Sequence, residues 1–557
     1  MAFILEHHLA DRHPLVIRLF RYLSANPSHI AYQFVQDGNL QKMSCEEVLK
    51  KSLMVATYLQ KNRENSFSKS LLVFEPGIEF ISAFLGCLLA NVVATPIALP
   101  KPRTNELFEY FLQHLKPDYL LTTSDLSHRI HQLLPSDQPS GFQLVEVDKL
   151  SSDQLVLEEL SSPQDIALIQ YTSGTTSHPK GVMITFDNLL ENLGAIQQHF
   201  GLTETSTTFS WLPHYHDMGL VDGLLTPLFN QCTGILTTPY HVVRSPTFWL
   251  KAIDTFKVTH TGGPNFILDL CVDRIPKDEA TQLNLRSLSH LYVSAEPVRK
   301  RTLDRFANHF REAGFQSQIF TPGYGLAEAT LMVSCKKPGD ELRYFRSGNP
   351  GKEVFYVGLG TAIPKLRLEI INPETLETLR DGEIGEIVVS GPTIMKGYYN
   401  DEHYNRQAFI QLTGAKGEEK FLRTGDLGFS DDGELVVTGR IKDTLIFFGV
   451  QYQAEDLEYP ISQASTFFVK SGCAAISIVV NEMEQLIVIQ EIKRNALSAV
   501  KPTHEKELIQ DTLFNFFGLK AYDIVLVKQG DIPKTTSGKI RRAECKNLYI
   551  RGHFNSF

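Results

Sequence analysis

Short runs of β-branched and other apolar residues alternate with helix-length amphipathic segments over the first two thirds of this chain. The runs LLVFEP, NVVATPIAL, DYLLTT and FQLVEV have the composition of strands, and residues 186–199 form an amphipathic helical pattern. Because parallel strands must be joined by helix-length crossovers, this alternation predicts an α/β fold of layered parallel sheets.

The pattern changes twice in the last third of the chain. From about Leu366, short strands are separated by Asp-Gly turns, which predicts a β-rich subdomain. After Arg440, mixed strands and a helix over about 504–517 indicate a small α+β domain. The chain of 557 residues is long enough to fill several cores, and we predict two domains, 1–440 and 441–557.

One uncharged stretch, FISAFLGCLLANVVATPIAL, is long enough to raise the question of a membrane span. Asn91 divides it into a helix-like half and a β-branched half that ends near Pro96. We therefore predict a buried helix, a turn and a buried strand, and no transmembrane segment.

Composition excludes several other classes of protein. The net charge of -9 has interspersed signs and gives no basic stripe for nucleic acid. The seven cysteines are scattered without a CxxC pair, which indicates neither a disulfide framework nor a zinc site. The first residues lack the basic start and unbroken apolar core of a signal peptide. These features favour a cytoplasmic protein.

The stretch YTSGTTSHPKG, residues 171–181, has the chemistry of a phosphate-binding turn. Its spacing does not match GxxxxGK[ST], because Pro179 has no N–H and Lys180 precedes its glycine. Gly174 allows close backbone approach, Lys180 supplies charge, and hydroxyl donors are present at Thr172, Ser173, Thr175, Thr176 and Ser177. An ordinary polar turn between two strands is the structural alternative.

Four further stretches carry chemistry-bearing residues. GYGLAEAT places Tyr324 and Glu328 four residues apart, and FLRTGDLG puts Asp426 after a strand-like run. GRIKDTLIFFG begins with Gly439 and Arg440 at the predicted domain boundary, and IPKTTSGKIRR supplies Lys539 near the end of the chain. Each stretch alone has a structural interpretation, as a turn, a half-buried ring or a solvated face.

In their order along the chain, these motifs resemble the adenylate-forming superfamily of acyl- and aryl-CoA synthetases, peptide-synthetase adenylation domains and luciferases. Within it, SWLPHYHDMGLVDGLL, GGPNFILDLC, SAEPV and YGLAEATL are most similar to fatty acyl-AMP ligases. The resemblance implies a large N-terminal domain of layered α/β sheets with a distorted β-barrel, and a small, mobile α+β C-terminal domain, here called the lid.

The resemblance also implies roles for individual residues. Thr172 to Thr176 and Lys180 would hold the β- and γ-phosphates of ATP, Asp426 and Arg440 the ribose, and Glu328 the Mg²⁺ ion. Two short segments would surround the adenine: Ser294, Ala295 and Glu296, and Tyr324, Gly325, Leu326 and Ala327.

The remaining implied roles concern the acid and the lid. Lys539 would lie between the fatty carboxylate and the α-phosphate, where a cation reduces the repulsion of two anions, and the lid would rotate about Lys442. The carboxylate end of the acyl tunnel would be formed by His216, Asp217, Met218, Asn265 and Phe266. A zinc-hydrolase interpretation of HYHD lacks the further histidine that such sites carry.

The function implied is ATP- and Mg²⁺-dependent activation of a medium- or long-chain fatty acid as acyl-AMP. The acyl group would pass to the phosphopantetheine thiol of an acyl carrier protein or a polyketide or peptide synthase carrier domain. An acyl-CoA synthetase with the same first step is the alternative, and a non-catalytic nucleotide or lipid binder is a third hypothesis.

The sequence departs from the family pattern at three places. Ser177 and Ser294 stand where the family has glycine, so the backbone at either point could crowd the nucleotide. The stretch 329–357 is shorter than the insertion expected there, which is held to disfavour free CoA, so the choice between carrier protein and CoA is open.

Overall fold

The computed structural model describes most of the chain. The described residues are 9–36, 38–63, 67–99, 105–134, 141–151, 155, 157–160, 164–172, 179–346, 355–412, 419–447, 450–481, 483–535 and 538–554.

Helices occur along the whole chain, and one of them is a π-helix over Met218–Leu225. The α-helices are α1 Pro14–Ala25, α2 Cys45–Lys61, α3 Ile78–Ala90, α4 Asn105–Leu115, α5 Ser124–Leu133, α6 Phe186–Phe200, α7 Thr226–Phe229, α8 Pro239–Arg244, α9 Pro246–Phe256, α10 Asn265–Arg274, α11 Lys277–Ala280, α12 Lys300–His309, α13 Glu402–Ala408, α14 Ala454–Gln463, α15 Pro502–Phe517 and α16 Arg542–Ile550. Short 3₁₀ turns lie at Val147–Lys149, Ser317–Ile319, Ala327–Ala329, Ile441–Asp443 and Arg494–Ala496.

The strands mostly alternate with helices up to residue 325 and mostly follow one another from there to residue 453. They are β1 Ile30–Gln36, β2 Asn39–Ser44, β3 Lys69–Val73, β4 Val93–Ile97, β5 Tyr119–Thr122, β6 Gln143–Glu146, β7 Ile166–Thr172, β8 Lys180–Thr185, β9 Thr207–Ser210, β10 Thr233–Leu236, β11 His260–Gly263, β12 His290–Val293, β13 Phe320–Gly325, β14 Met332–Cys335, β15 Tyr344–Arg346, β16 Phe355–Val357, β17 Thr361–Ala362, β18 Arg367–Ile371, β19 Gly385–Ser390, β20 Gly397–Tyr398, β21 Phe409–Ile410, β22 Phe421–Asp431, β23 Glu434–Arg440, β24 Thr444–Phe447, β25 Val450–Gln453, β26 Phe468–Val480, β27 Met483–Ile492 and β28 Asp523–Lys528.

Two large, mostly parallel sheets organise the N-terminal domain. One has the strand order β17-β14-β13-β12-β11-β9-β10-β1-β2 and the other β20-β8-β7-β4-β3-β5-β6. The largest core lies between them and contains buried residues of α1, α2, α3, α6 and the π-helix. Further helices cover the outer faces, α9, α10 and α12 on one sheet and α4 on the other. The predicted α/β fold of layered parallel sheets is confirmed.

The uncharged stretch at residues 80–99 folds as predicted. It forms most of α3, a turn at Asn91 and the buried strand β4. Asn91 adopts a left-handed conformation with φ of 55°, and its side-chain amide exchanges two hydrogen bonds with the backbone of Gln164. Among the described residues, every helix is too short or too polar to cross a membrane.

The β-rich subdomain predicted from Leu366 is an antiparallel sheet of order β18-β19-β22-β21, with β23 paired to β22. This sheet occupies the place where the resemblance implies a distorted β-barrel. Its tight turns use the Asp-Gly pairs: Gly382 and Gly433 have φ of 83° and 78°, which glycine adopts without the strain a side chain would add.

The lid has its own core around the sheet β26-β27-β28, against which α14 and α15 pack. It touches the N-terminal domain through ion pairs. Arg299 contacts Asp456 of α14 at 2.9 Å, and Lys470 of β26 contacts Asp273. The small α+β C-terminal domain expected from the sequence is therefore present and lies against the larger one.

Buried histidines give the N-terminal domain a pH-dependent stability. Burial lowers the pKa of His214 and of His290 to about 3, with His260 adding to the effect at His290. In the unfolded chain an imidazole titrates near ~6.5, so the unfolded state binds more protons below that pH. The stability that these neutral imidazoles contribute is complete above pH ~6.5 and declines as pH falls toward 3.

We expect the substitution His290→Gln to flatten this decline. Between pH 7.0 and 5.5 the wild-type free energy of unfolding should fall by about 1 kcal/mol more than that of the variant. Urea unfolding at the two pH values measures the difference, and the exposed His403→Gln protein is the control. Equal pH slopes for wild type and His290→Gln would contradict this assignment.

Candidate active site

The candidate site lies at the carboxyl ends of parallel strands. Residues 294–296 follow β12, 265–266 follow β11, and the loop after β9 leads to residues 216–218. Thr172 ends β7 of the second sheet. In open α/β sheets, ligands bind in the crevice outside these strand ends.

Asp426 forms one wall of the site, and each of its two carboxylate oxygens has a partner. The antiparallel strands β22 and β23 place Asp426 opposite Arg440, whose Nε lies 2.7 Å from Asp426 Oδ1. The Tyr324 hydroxyl donates to Asp426 Oδ2 at 2.6 Å. Asp426 is only 4% exposed. Its negative charge is thus fixed in position, with Arg440 supplying the compensating charge.

The two segments expected around the adenine leave little room for side chains. A Cβ on Gly325 would lie 1.9 Å from the Leu331 carbonyl oxygen, so only glycine fits there. The Leu326 N–H donates to the same carbonyl, and Ala327 begins a 3₁₀ turn. Ala295 has φ of 71°, an uncommon conformation for a residue with a side chain.

Glu296 and Ser294 flank this strained alanine. The Ser294 N–H lies 3.4 Å from the Gly263 carbonyl oxygen on the neighbouring strand. The Glu296 carboxylate accepts the backbone N–H of Phe266. Burial, reinforced by Glu455 of the lid, raises the pKa of Glu296 to about 7. The carboxyl of Glu296 therefore joins the ends of β11 and β12 and faces the lid.

Glu328 lies in the 3₁₀ turn that follows β13, and Lys180 begins β8. The Tyr398 hydroxyl donates to Glu328 Oε1 at 3.0 Å, and burial raises the pKa of Glu328. Lys180 Nζ lies 3.1 Å from the centre of the Tyr404 ring, in a cation–π contact. Burial lowers the pKa of Lys180, while Asp401 and Glu328 act in the opposite direction.

The predicted phosphate loop is described only at its two ends. Ser173, Gly174, Thr175 and Thr176, and also Ser177, lie outside the described residues. Thr172 pairs with Lys180 in the β7–β8 ladder, so both ends of the loop are held in the site.

His216, Asp217 and Met218 form the entry to the π-helix. The Met218 N–H donates to Asp217 Oδ1 at 2.8 Å. Burial, and then Lys539, lower the pKa of His216 to about 4, and its Nε2 is buried without a hydrogen-bond partner among the described residues. The imidazole is therefore neutral at physiological pH and has a free nitrogen toward the site.

Asn265 and Phe266 take different positions at the start of α10. The Asn265 side-chain oxygen accepts the Arg299 N–H at 3.1 Å, and its NH₂ group donates to the Thr302 hydroxyl at 3.2 Å. Both polar atoms of the Asn265 amide are therefore hydrogen-bonded within the protein. Phe266 is 37% exposed and meets Trp211 edge to face. Phe266 is therefore the more accessible of the two.

Lys539 reaches this site from the lid. Lys539 is exposed by its solvent-accessible surface. Desolvation by the surrounding protein, and then Arg440, lower its pKa, while Asp426, Asp217 and Glu455 raise it. These partners come from both walls of the cleft. The charged groups that act on the last lysine of the IPKTTSGK motif thus belong to both the Asp426 wall and the His216–Asp217 wall.

A tight hairpin holds Lys539 in place. The Thr535 N–H donates to the Lys539 carbonyl at 2.7 Å, and the Lys539 N–H donates to the Thr535 hydroxyl at 3.0 Å. Buried carboxylates anchor both ends of the hairpin: Glu491 lies 3.1 Å from Lys534 Nζ, and Glu458 accepts two hydrogen bonds of 2.7 Å from Arg542. Arg542 also lies 3.1 Å from Asp443, next to Lys442 in the 3₁₀ turn between the domains.

Some residues of the site were not found from the sequence. Tyr398 and Tyr404 surround Lys180 because β20 pairs with β8, a contact far apart in the chain. Arg299 and Glu455 meet only across the two domains. No local pattern indicates such contacts, although the two adjacent tyrosines of the GYYN segment are a local signal for an aromatic site. Within the described residues, no three His, Cys, Asp or Glu side chains form a metal-binding group.

Comparison with known proteins agrees with this geometry. The family model for AMP-binding enzymes matches residues 19–399, and the model for the AMP domain of Disco-interacting protein 2-like proteins matches residues 442–556. The chain belongs to the AMP-binding enzyme family. The first match covers more than half of the chain, and it includes the motifs at residues 171–181 and 323–330.

Relatives place the ligase among fatty acyl-AMP ligases. It is 35% identical to the medium-chain-fatty-acid–[acyl-carrier-protein] ligase JamA of Moorena producens, over 96% of this chain and 95% of that protein. It is 31% identical to the long-chain-fatty-acid–AMP ligase FadD23 of Mycobacterium tuberculosis, over 95% and 94% of the two chains. The predicted family is therefore confirmed.

A solved structure supports the same conclusion. The fatty acyl-adenylate ligase of L. pneumophila, solved in complex with acyl adenylate and pyrophosphate, is 31% identical to this ligase. The two superpose with a TM-score of 0.73 over 96% of each chain.

Proposed function

We propose that the ligase uses MgATP to convert a medium- or long-chain fatty acid into its acyl-AMP. A carboxylate oxygen of the acid attacks the α-phosphorus, a new P–O bond forms, and the bond to pyrophosphate breaks. The observation that carries this proposal is that Lys539 of the lid interacts electrostatically with both Asp217 and Asp426, because a cation close to these residues opposes the repulsion between two anionic reactants.

The other residues of the site divide the remaining tasks. Arg440 and Asp426 would hold the ribose, and Lys180 would hold the departing phosphates together with the loop after Thr172. Glu328 would contact the magnesium ion that arrives with ATP, since a hard cation prefers carboxylate and phosphate oxygens. The neutral His216 would contact the fatty carboxylate through its free Nε2 without adding charge.

In the second step, we propose transfer to the phosphopantetheine thiol of an acyl carrier protein or of a synthase carrier domain. The thiolate attacks the acyl carbon and AMP leaves. The acyl-carrier-protein ligases among the relatives support this acceptor. Rotation of the lid, 441–557, about Lys442 would turn a different surface of the lid toward the adenylate for this step. A cytoplasmic location stays a prediction.

Exchange of labelled pyrophosphate into ATP tests the first step directly. We expect exchange that depends on a medium- or long-chain fatty acid. Incubation with ATP, acid and either a holo-carrier protein or CoA tests the second step. Exchange without any dependence on fatty acid would refute the substrate class, and abundant acyl-CoA without acyl-carrier would favour the alternative acceptor.

A further inference from the structure

Arg299 is fixed in the N-terminal domain, but its side chain pairs with the lid. Its backbone N–H donates to the Asn265 side chain at 3.1 Å. Its guanidinium lies 2.9 Å from Asp456 and 5.2 Å from the centre of the Tyr459 ring, both in α14 of the lid. The Arg299 side chain is 16% exposed, so the lid covers most of it.

The Arg299 guanidinium also acts on Glu296 of the candidate site. Lys539 and Arg299 both lower the pKa of Glu296, so both cations act on this carboxyl group. Glu296 in turn accepts the N–H of the accessible Phe266. Arg299 is therefore a cation at the contact between the two domains that also acts on Glu296 of the site.

Rotation of the lid would remove the partners of this cation. Asp456 and Tyr459 both lie beyond the proposed pivot at Lys442 and would leave with α14. Within the part of the chain that the structure describes, Asp456 is the carboxylate in ion-pair contact with Arg299. An uncovered guanidinium in a protein cleft is stabilised by a new anion, and its planar fork suits phosphate oxygens.

We propose that Arg299 binds the phosphate of a phosphopantetheine thiol during the second step. The inference rests on the proposed transfer to such a thiol and on rotation of the lid. Asp456 holds the guanidinium in place while acyl-AMP forms, and the acceptor phosphate takes the place of Asp456 afterwards. The same phosphate occurs on a carrier-protein arm and in CoA, so the site recognises their shared chemistry.

Small thiols that differ only in this phosphate provide the test. The wild-type ligase, supplied with ATP and a fatty acid, would be offered phosphopantetheine or pantetheine, and acyl-thioester formation measured at several thiol concentrations. We expect KM to be about tenfold lower for phosphopantetheine, because one charge-assisted contact is added. Arg299→Gln should lose this preference, and Arg299→Lys should keep part of it.

Asp456→Asn is the matched control. Both Asp456→Asn and Arg299→Gln break the pair with the lid, so both should lower pyrophosphate exchange by a similar small factor. Only Arg299→Gln should lose the phosphate preference. If Asp456→Asn lost it equally, or if Arg299→Gln kept it, Arg299 would be a contact between domains and the inference would be wrong.

Two further outcomes separate this inference from the proposed function. A wild-type protein that exchanges pyrophosphate and acylates both thiols equally well would refute the inference alone. One that exchanges pyrophosphate but acylates no thiol would refute the acceptor and the inference together. Parallel reactions with a holo-carrier protein and with CoA show which source of the phosphate depends on Arg299.

Discussion

Replacing Lys539 with alanine should reduce fatty-acid-dependent pyrophosphate exchange by about 10²–10³-fold, the range seen when one preorganised transition-state contact is lost. Lys539 interacts electrostatically with Arg440, Asp426 and Asp217, the residues proposed to lie around the two reacting anions. The fold should survive, because the backbone of the hairpin and its two anchoring ion pairs remain. Thermal unfolding of the variant should match that of the wild type.

Lys546 offers a matched control for this substitution. It is an exposed lysine on α16, shortly after the hairpin, and Lys546→Ala should exchange at the wild-type rate. Native exchange by Lys539→Ala would remove the main support for the proposed mechanism. A loss confined to thioester formation would assign Lys539 to the second step instead.

Replacing Asp426 with asparagine should raise KM for ATP by roughly 30-fold or more, because one partner of a buried, hydrogen-bonded charge pair is lost. Both Asp426 oxygens are engaged, by Arg440 and by Tyr324. An amide keeps the shape but presents an N–H₂ where an acceptor is needed, and it leaves Arg440 without its counter-charge. Exchange assays at varied ATP measure the effect.

The control for Asp426 lies on the same strand. Asp431 ends β22 and pairs with Arg343 at 2.6 Å, but its side chain is 44% exposed. Asp431→Asn should leave KM for ATP unchanged, since exposed pairs contribute little. An unchanged KM in Asp426→Asn would show that this carboxylate does not bind the nucleotide.

Local pattern predicted the elements of this fold well. The split of residues 80–99 at Asn91, the helix α6 and the strands β3 to β6 follow from periodicity and breakers alone. The π-helix over Met218–Leu225 could not be predicted that way. It depends on Gly219 and Gly223, whose absent side chains let it pack on the Pro213 carbonyl and on Ser210.

Sequence motifs predicted several residues that lie together in the candidate site. They did not predict the contacts that depend on strand pairing or on the packing of the two domains. Tyr324, Asp426 and Lys539 come from separate motifs that the sequence order linked together. The cation–π contact of Tyr404 with Lys180 depends on strand pairing, and the contact of Arg299 with Asp456 on how the two domains meet. Such contacts join residues far apart in sequence, and a single chain carries no periodic signal for them.

All seven cysteines of this protein are free and buried. Burial raises the pKa of each thiol, among them Cys87 in α3 and Cys545 in α16. A mixed anhydride would readily acylate a nearby thiolate, so an enzyme that makes one is at risk of modifying itself. By keeping every cysteine thiol buried and protonated, the fold reserves the activated acyl group for a nucleophile that arrives from outside.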